Sequence, residues 1–103
     1  MRDFTTHQHT VFEKSKNDVL DYKHRAERFL NGDTISSSTW TAESGLTVDS
    51  DSNDTTNATA VISGGTEGSK YKLTNKIVTA AGNTKEAFIY IVITEDEETR
   101  DYV

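Results

Sequence analysis

The sequence contains no cysteine and no proline, and it has only one methionine and one tryptophan. Without cysteine, the chain can form neither a disulfide framework nor a cysteine-bound zinc site, and thiol chemistry is excluded. Its longest apolar run, residues 87–93, is far shorter than the roughly 20 residues that a membrane-spanning helix needs. The first ten residues, MRDFTTHQHT, hold no apolar run, so we expect no signal peptide. These absences argue against a disulfide-rich secreted protein, a thiol enzyme and a membrane protein.

Positive charge is also scarce, because 11 Lys and Arg residues stand against 17 Asp and Glu residues, for a net charge of −6. Nucleic acid is therefore not expected as the main partner, since phosphate contacts need clustered Lys and Arg. Hydrophobic residues make up only 33% of the 103 residues. A chain of this length and composition is suited to one small domain with a modest core. Ser and Thr, which together number 25, favour strands and turns.

Composition divides the chain into three parts, and we predict the domain organisation from them. Residues 1–18 form a polar lead, which we expect to be an extended N-terminal arm. The isolated apolar residues of this arm are Phe4, Val11 and Phe12. Residues 19–94 carry nearly all the periodic apolar pattern and are predicted to form a β-sandwich. Residues 95–103, EDEETRDYV, begin with four carboxylates and have too little apolar surface to offset their ordering entropy, so we expect an acidic C-terminal tail.

The strongest strand signals lie near the end of the middle part. Residues 70–77 alternate between polar and apolar positions, which indicates a strand with one solvated face. Residues 85–93 are apolar on both faces, and such a strand must be covered on both. One face carries Ala87, Ile89, Ile91 and Ile93, and the other carries Phe88, Tyr90 and Val92. Turn signals about every ten residues predict a small antiparallel sandwich. Its predicted core includes Trp40, Leu73, Ile77, Ile89 and Ile91.

One segment of the middle part breaks the strand pattern. Ala26, Phe29 and Leu30 have the i, i+3, i+4 spacing that places them on one side of a helical turn. We expect His24, which precedes this turn, to be a cap or a surface residue. Residues 49–57, DSDSNDTTN, are predicted to form a nine-residue polar loop between strands.

Two patterns resemble metal-binding sequences but lack essential ligands. The loop that starts at Asp49 has alternating acidic residues, yet Asp54 and Ala60 stand where an EF-hand needs Gly and a bidentate Glu. A solvated acidic loop is therefore favoured over a calcium site. His7 and His9 would project to one side of a strand, but no third ligand is near, so two exposed histidines are favoured. We expect no metal and no cofactor.

No sequence template for catalysis is matched. Serines are plentiful, but none lies in the G-x-S-x-G context of an activated nucleophile. The acidic residues lie in polar segments rather than as a pair in an apolar one. Residues 64–70, GGTEGSK, depart from the phosphate-binding G-x-x-x-x-G-K-[ST] pattern and are interpreted as a turn. We predict that the protein is not an enzyme.

Five segments carry a resemblance to a known family. They are VLDY at 19–22, FLNGDTISSSTWT at 29–41, SGLTV at 44–48, ISGGTEGSKYKLTNKIVTAAG at 62–82 and IYIVI at 89–93. Their order and spacing resemble the fibre–tail adaptor family, which are small virion proteins of tailed bacteriophages. The resemblance implies an immunoglobulin-like sandwich, so the full prediction is an all-β, small immunoglobulin-like antiparallel β-sandwich with one short helical turn and extended N- and C-terminal ends.

The resemblance also implies a role. It indicates a non-enzymatic neck or tail adaptor that links the tail or head-to-tail connector to tail fibres. Such a protein would be made in the host bacterial cytoplasm and would enter the virion in multiple copies arranged in a ring. Its partners would be other virion proteins (portal, adaptor, tail tube and tail fibre), with no nucleic acid and no membrane. The alternative is an immunoglobulin-like carbohydrate-binding or capsid decoration module.

An assembly protein needs contact surfaces, and three are predicted. The candidate interface residues are Phe4, Val11 and Phe12 on the arm, Phe88 and Tyr90 on the second face of the last strand, and Tyr102 in the tail. Two alternatives stay open. The helical turn could cover Phe88 and Tyr90 within the same domain, because a sandwich normally packs its own last strand. The arm could be a disordered lead.

Overall fold

The structure is a computed structural model that describes residues 2–6 and 10–94. Strands make up most of this part of the chain. These residues form eight strands and one short helix. In chain order they are β1 (Asp3–Thr5), β2 (Val11–Ser15), β3 (Leu20–Arg25), α1 (Glu27–Leu30), β4 (Ile35–Ala42), β5 (Leu46–Asn53), β6 (Asn57–Gly64), β7 (Lys70–Thr79) and β8 (Thr84–Thr94).

The strands form two four-stranded sheets packed as a sandwich. The first sheet has the order β1-β3-β6-β5, and the second has the order β2-β8-β7-β4. Strand β1 lies parallel to β3, and β2 lies parallel to β8. The other four pairs are antiparallel. The predicted all-β sandwich with one helical turn is therefore confirmed. It differs from the predicted antiparallel sandwich in that one edge strand of each sheet, β1 or β2, pairs in parallel with its neighbour.

Strand order and two side chains are consistent with an immunoglobulin-like arrangement. In the nomenclature of immunoglobulin domains, β1 corresponds to strand A and β3 to β8 correspond to strands B to G. The first sheet then has the order A-B-E-D, and the second contains G, F and C, with β2 beside G. Trp40 lies buried on β4, which corresponds to the strand that carries the buried tryptophan of immunoglobulin domains. The hydroxyl oxygen of Tyr71, near the start of β7, accepts a hydrogen bond from the backbone N–H of Thr66 at 3.0 Å. This contact resembles the tyrosine corner of such domains.

The core lies between the sheets and follows the alternation of each strand. All five residues predicted for the core are buried: Trp40, Leu73, Ile77, Ile89 and Ile91. From the first sheet, Tyr22 on β3 and Ala58, Ala60 and Ile62 on β6 are fully buried against them. The strands whose sequences alternate most clearly between polar and apolar residues thus supply the centre of the core.

The N-terminal segment differs from the predicted arm outside the sandwich. Strands β1 and β2 are edge strands, one in each sheet, and the side chain of Phe4 is only 1% exposed. The ring of Phe4 stacks on His24 with 5.2 Å between centroids and meets Trp40 edge-on at 6.0 Å. The sequence pattern misses both strands because they are short and bury few side chains, so no apolar period becomes visible.

His24 is a second difference, because it is fully buried on β3 rather than at the surface or in a cap. Its Nδ1 lies 2.7 Å from Oδ1 of Asn75, and its Nε2 lies 2.8 Å from Oγ1 of Thr6. The side-chain nitrogen of Asn75 donates to Ser38 and to the carbonyl of Thr39, so the oxygen of Asn75 is the acceptor toward His24. Nδ1 of His24 therefore donates, and Nε2 accepts from the hydroxyl of Thr6. Burial lowers the pKa of His24, against the opposing effect of the Asn75 hydrogen bond.

Lys14 is a buried cation toward the other end of the strands, where it lies opposite Ile93 near the end of β8. It lies on β2, and its side chain is nearly inaccessible. Its Nζ donates to the carbonyls of Gly64 at 2.6 Å and Ser15 at 2.9 Å. Burial lowers the pKa of Lys14, while the charges of Asp18 and Asp49 raise it. The contact with Gly64 joins the second sheet to the end of β6 in the first sheet.

The predicted polar loop 49–57 is largely strand. Strand β5 continues to Asn53, and only residues 54–56 turn before β6 begins. The carboxylate of Asp54 accepts hydrogen bonds from the N–H groups of Thr56 and Asn57, and these bonds lower the pKa of Asp54. The prediction was wrong because residues 49–53 lie at a sheet edge with their side chains exposed, where polar residues are compatible with strand pairing.

Two glycines provide a matched test of how tightly the sheets meet. A Cβ added to Gly65 would lie 2.5 Å from Cδ1 of Ile93, whereas one added to Gly82 would have no atom within 4 Å. Both residues have positive φ, +105° and +93°, so both alanine variants carry a backbone penalty of about 1–2 kcal/mol. We expect Gly65→Ala to lower the melting temperature by several degrees more than Gly82→Ala, because only Gly65→Ala displaces Ile93. Equal losses in thermal denaturation would contradict this packing.

Burial of the neutral His24 ring makes stability depend on pH. In the unfolded chain its pKa is about 6.5, and burial lowers the folded-state value. As the pH falls below about 6.5, the unfolded state binds the additional proton, so the free energy of unfolding decreases until the folded-state pKa is passed. Urea denaturation at about pH 7 and about pH 5.5 should show this loss. His24→Gln should flatten the dependence, and a His7→Gln/His9→Gln control should retain it; the opposite result would refute the assignment.

Candidate docking face on the second sheet

Three of the predicted contact residues meet on one side of the second sheet. Phe88 and Tyr90 alternate with the inward isoleucines of β8, so their side chains point away from the core. The register between β2 and β8 places Val11 opposite Tyr90. Val11 is 58% exposed, and the two aromatic side chains are half-buried. We name the side of the sheet that carries these three residues and Val92 the outer face.

Lysines from β7 lie over the aromatic pair. Phe88 and Tyr90 are arranged edge-to-face, with 5.7 Å between centroids and 81° between planes. Nζ of Lys70 lies 5.0 Å from the ring centroid of Tyr90, and Nζ of Lys72 lies 4.5 Å from that of Phe88. Each such contact at a surface contributes about 0.5–1 kcal/mol. The outer face therefore combines apolar rings and lysines, and the exposed carboxylates of Glu13 and Glu86 lie on the same side of the sheet.

These lysines are the site residues that the sequence prediction missed. On the isolated strand 70–77 they form only the solvated side. The register decides their role, because it places Lys70 opposite Val92 and Lys72 opposite Tyr90. Cross-strand neighbours on one face interact, so lysines at alternate positions along β7 meet aromatic residues at alternate positions along β8. The sequence signal that could have found these lysines is the alternation on two consecutive strands, with lysines at every second position of β7 and aromatic residues at every second position of β8.

The outward side of the first sheet has different chemistry. Two ion pairs lie within this sheet, Arg2 to Asp21 at 2.6 Å and Arg25 to Asp3 at 3.7 Å, and Lys23 on β3 also projects outward. The hydrogen bond from Arg2 is the main reason that the pKa of Asp21 is lowered. The outward residues of β6 are Asn57, Thr59, Val61 and Ser63. The outer face of the second sheet is thus the better candidate for binding another protein.

The remaining predicted contact residues are not on this surface. Phe4 belongs to the core, and Phe12 points inward, where its ring meets Tyr22 edge-on at 5.4 Å. Tyr102 lies outside the described residues, as do His7 and His9. Of the six predicted residues, the structure therefore brings together Val11, Phe88 and Tyr90.

The helical turn does not cover the aromatic pair. Ala26 and Leu30 are buried in the core, and Phe29 packs against it. Phe88 and Tyr90 lie on the opposite side of β8 from that core. Cover of the last strand by the turn, which the sequence left open, is thus not what the structure shows.

An open cleft lies at one end of the sandwich. It has a volume of about 310 Å³ and is lined by Thr5, Thr6, Arg25, Arg28 and Phe29. Its side chains are two cations, two hydroxyls and an aromatic ring, and one of the hydroxyls, that of Thr6, donates a hydrogen bond to Nε2 of the buried His24 at 2.8 Å. In residues 2–6 and 10–94, no group of three or more His, Asp or Glu side chains could hold a metal ion. Among the helices of this same part, none is both long and apolar enough to cross a membrane.

Comparison with protein families identifies the chain. The sequence model described as podophage GP4 fiber-tail adaptor protein gp77 matches residues 14–92. The chain belongs to this family of phage fibre–tail adaptors. The predicted resemblance is therefore confirmed, and the matched region contains most of the outer face, from Lys70 to Val92. Val11, β1 and residues 95–103 lie outside the match.

A similar fold is found in a solved structure. The crystal structure of the cysteine protease inhibitor EhICP2 from Entamoeba histolytica superimposes with a TM-score of 0.55 over 89% of this chain and 93% of that chain. Sequence identity is 12%, so the likeness concerns the fold alone. A comparison with curated proteins found no match.

Neighbouring residues on β8 distinguish core from outer face. Ile89 is fully buried, so Ile89→Ala should cost about 2–5 kcal/mol. Tyr90→Thr replaces one strand-favouring residue by another and removes the ring contacts with Phe88 and Lys70. Its expected cost is about 1 kcal/mol. Chemical denaturation of both variants measures the difference, and a loss for Tyr90→Thr as large as for Ile89→Ala would show that the outer face is needed for folding.

Proposed function

We propose that this protein is a non-enzymatic structural subunit of a tailed-phage virion, which links the tail or the head-to-tail connector to tail fibres in the neck or tail region. Membership of the fibre–tail adaptor family supports this role. The observation that carries the mechanism is the outer face, where Val11, Phe88 and Tyr90 lie beside Lys70 and Lys72.

The chemistry of the outer face suits contact with a protein that presents carboxylates. Aromatic residues supply large contact area at a low cost in side-chain entropy, and they are enriched at protein interfaces. The lysines add charge that speeds encounter with an acidic partner and sets its register. The described part of the chain shows no ion pair at Lys70 or Lys72, so their positive charge is available to a partner.

Incorporation in multiple copies fits this surface. Repetition around a tail or portal axis allows individually weak contacts to hold an assembly, because linked binding events reinforce one another. The protein would be made in the cytoplasm of the host and then enter the virion. Other virion proteins would be its partners.

The alternative of a carbohydrate-binding module has less support. Sugar rings stack on exposed aromatic planes, but Trp40 is only 7% exposed. Phe88 and Tyr90 stand at 81° to each other and carry lysines over their rings, so they form no flat platform. A capsid decoration module is not favoured by the family match.

Complementation of a phage that lacks the protein tests the proposed function. We expect a Phe88→Thr/Tyr90→Thr variant to fold and to be absent from purified particles, because the apolar part of the outer face is removed. The matched control is Thr59→Ser/Val61→Thr on the outward side of the first sheet, which should be incorporated normally. Circular dichroism verifies folding, and quantitative mass spectrometry of particles measures incorporation. Wild-type incorporation of the Phe88/Tyr90 variant would overturn the assignment of the outer face.

A further inference from the structure

We propose that strand β4 pairs antiparallel with β4 of a second copy of this chain and so joins two copies into a dimer. The contact uses a sheet edge rather than the apolar centre of the outer face, so it does not depend on the proposed function. Three features of β4 support the pairing: the lack of charge on the strand, the direction of its backbone groups and the match of its side chains to those of a second copy.

Three of the four edge strands in the described sheets carry features that hinder further pairing. Strand β1 has only three residues, and one of them is Asp3. Strand β2 has Glu13 and the inward-pointing Lys14. Strand β5 has Asp49, Asp51 and a shift in its pairing register. Short length, charge and bulges are the means by which proteins prevent exposed edges from pairing.

Strand β4 is an edge strand without these features along most of its length. Its sequence, ISSSTWTA, contains no charged residue and no proline. The one shift in its pairing with β7 lies at its start, between Ile35 and Ser37, and residues 37–42 then pair regularly. Thr39 and Thr41 are exposed on this regular part, and threonine favours strand conformation. An uncharged edge of this length is a template for a further strand.

The backbone groups of alternate residues of β4 point away from β7. The N–H of Glu43, just beyond the strand, donates to the carbonyl of Lys72 at 3.1 Å. Because hydrogen-bonded and non-hydrogen-bonded pairs alternate in an antiparallel ladder, the N–H and C=O groups of Ser38, Trp40 and Ala42 face outward from the sheet. Within residues 2–6 and 10–94, these outward groups have no hydrogen-bond partner.

Antiparallel pairing of two copies about Trp40 matches both the backbone groups and the side chains. Ser38 of one copy lies opposite Ala42 of the other, and Trp40 lies opposite Trp40, so the outward groups form about six hydrogen bonds. Thr39 lies opposite Thr41 on the exposed side, and threonine pairs of this kind stabilise neighbouring strands. None of these positions is charged, so the contact places no like charges opposite each other.

The nearest charge on β7 is compatible with the second copy. Lys76 lies opposite Thr39, on the strand next to β4. In the dimer, the two copies of Lys76 are separated by three strand spacings, which is at least about 14 Å. This separation exceeds the Debye length of about 8 Å at physiological ionic strength. Repulsion between the lysines therefore opposes the pairing only weakly.

Strand β5 determines the expected salt dependence. It contacts β4 from the first sheet, and its Asp49 and Asp51 are exposed. In the dimer these carboxylates approach their counterparts in the second copy, whereas the contact between the two β4 strands is uncharged. Rising salt should therefore strengthen dimerisation, because it screens the repulsion between the carboxylates.

The pairing has a consequence for docking. It joins the second sheets of two copies into one continuous sheet, with a two-fold axis between the β4 strands. Both outer faces then point to the same side of this sheet. An elongated partner with repeated sites could bind the two faces at once, which reinforces individually weak contacts.

Sedimentation velocity of the full-length chain over a range of concentrations tests the pairing. Wild type should dimerise, and more tightly as salt rises. Thr39→Lys/Thr41→Lys should weaken dimerisation at least about tenfold, because it places like charges directly opposite each other. The matched control Thr47→Lys/Ser52→Lys adds the same charge to exposed, outward positions of β5 and should dimerise at least as tightly as wild type. Monomeric wild type at all concentrations, or equal weakening by the control, would overturn the inference.

Mixing complementary variants tests the register. Thr39→Glu/Thr41→Glu should also be monomeric alone, and circular dichroism verifies that both variants fold. Mixed with Thr39→Lys/Thr41→Lys, it should form a 1:1 complex, because each introduced lysine then lies opposite an introduced glutamate. Absence of a complex in the mixture would refute the antiparallel register about Trp40.

Amide hydrogen exchange of wild type, measured by NMR, reports on the backbone contact itself. The N–H groups of Thr39 and Thr41 bond to β7 and should be protected at every concentration. Those of Ser38, Trp40 and Ala42 should become protected only at concentrations where the dimer forms. A dimer in which these three amides still exchange freely would use another surface, and the inference would be wrong. The proposed function fails separately, if the Phe88→Thr/Tyr90→Thr variant enters particles normally.

Discussion

Strand β8 is apolar on both faces, and a two-layer sandwich can bury only one of them. Its inward isoleucines lie against the first sheet, which supplies Tyr22 and Ile62 on the other side of the core. The remaining face is left at the surface with Phe88 and Tyr90. Packing of the inner face therefore fixes both the fold and the location of the exposed aromatic residues, because side chains along a strand alternate strictly.

Polar contacts complete the sandwich where apolar packing ends. Toward one end of the strands, His24 and Asn75 bond across the gap between β3 and β7, and Phe4 from β1 stacks on the imidazole ring. Toward the other end, Lys14 from β2 reaches the carbonyl of Gly64. The two parallel edge strands thus attach to the core through one or two side chains each. Buried polar groups of this kind depend on every partner being in place, so β1 and β2 pack as parts of the two sheets.

The two outward surfaces of the sandwich have separate chemistry. On the first sheet, Arg2 and Arg25 are paired with acidic neighbours. On the second, the ammonium groups of two lysines lie over aromatic rings. A family of fibre–tail adaptors needs surfaces for neighbouring virion proteins, and an aromatic centre with basic neighbours combines contact area with orientation.

The sequence by itself determined the all-β class, the five tested core positions and the apolar character of both faces of β8, since a period of two is local and visible in one strand. The family resemblance was equally visible, in segments such as TNKIVTAAG. Only the tertiary structure decided that Phe4 and His24 are buried, because short edge strands and polar residues in the core produce no alternating apolar pattern in the sequence. It also decided that Lys72 lies over Phe88, since that contact depends on the register between two strands, which alternation within either strand does not specify.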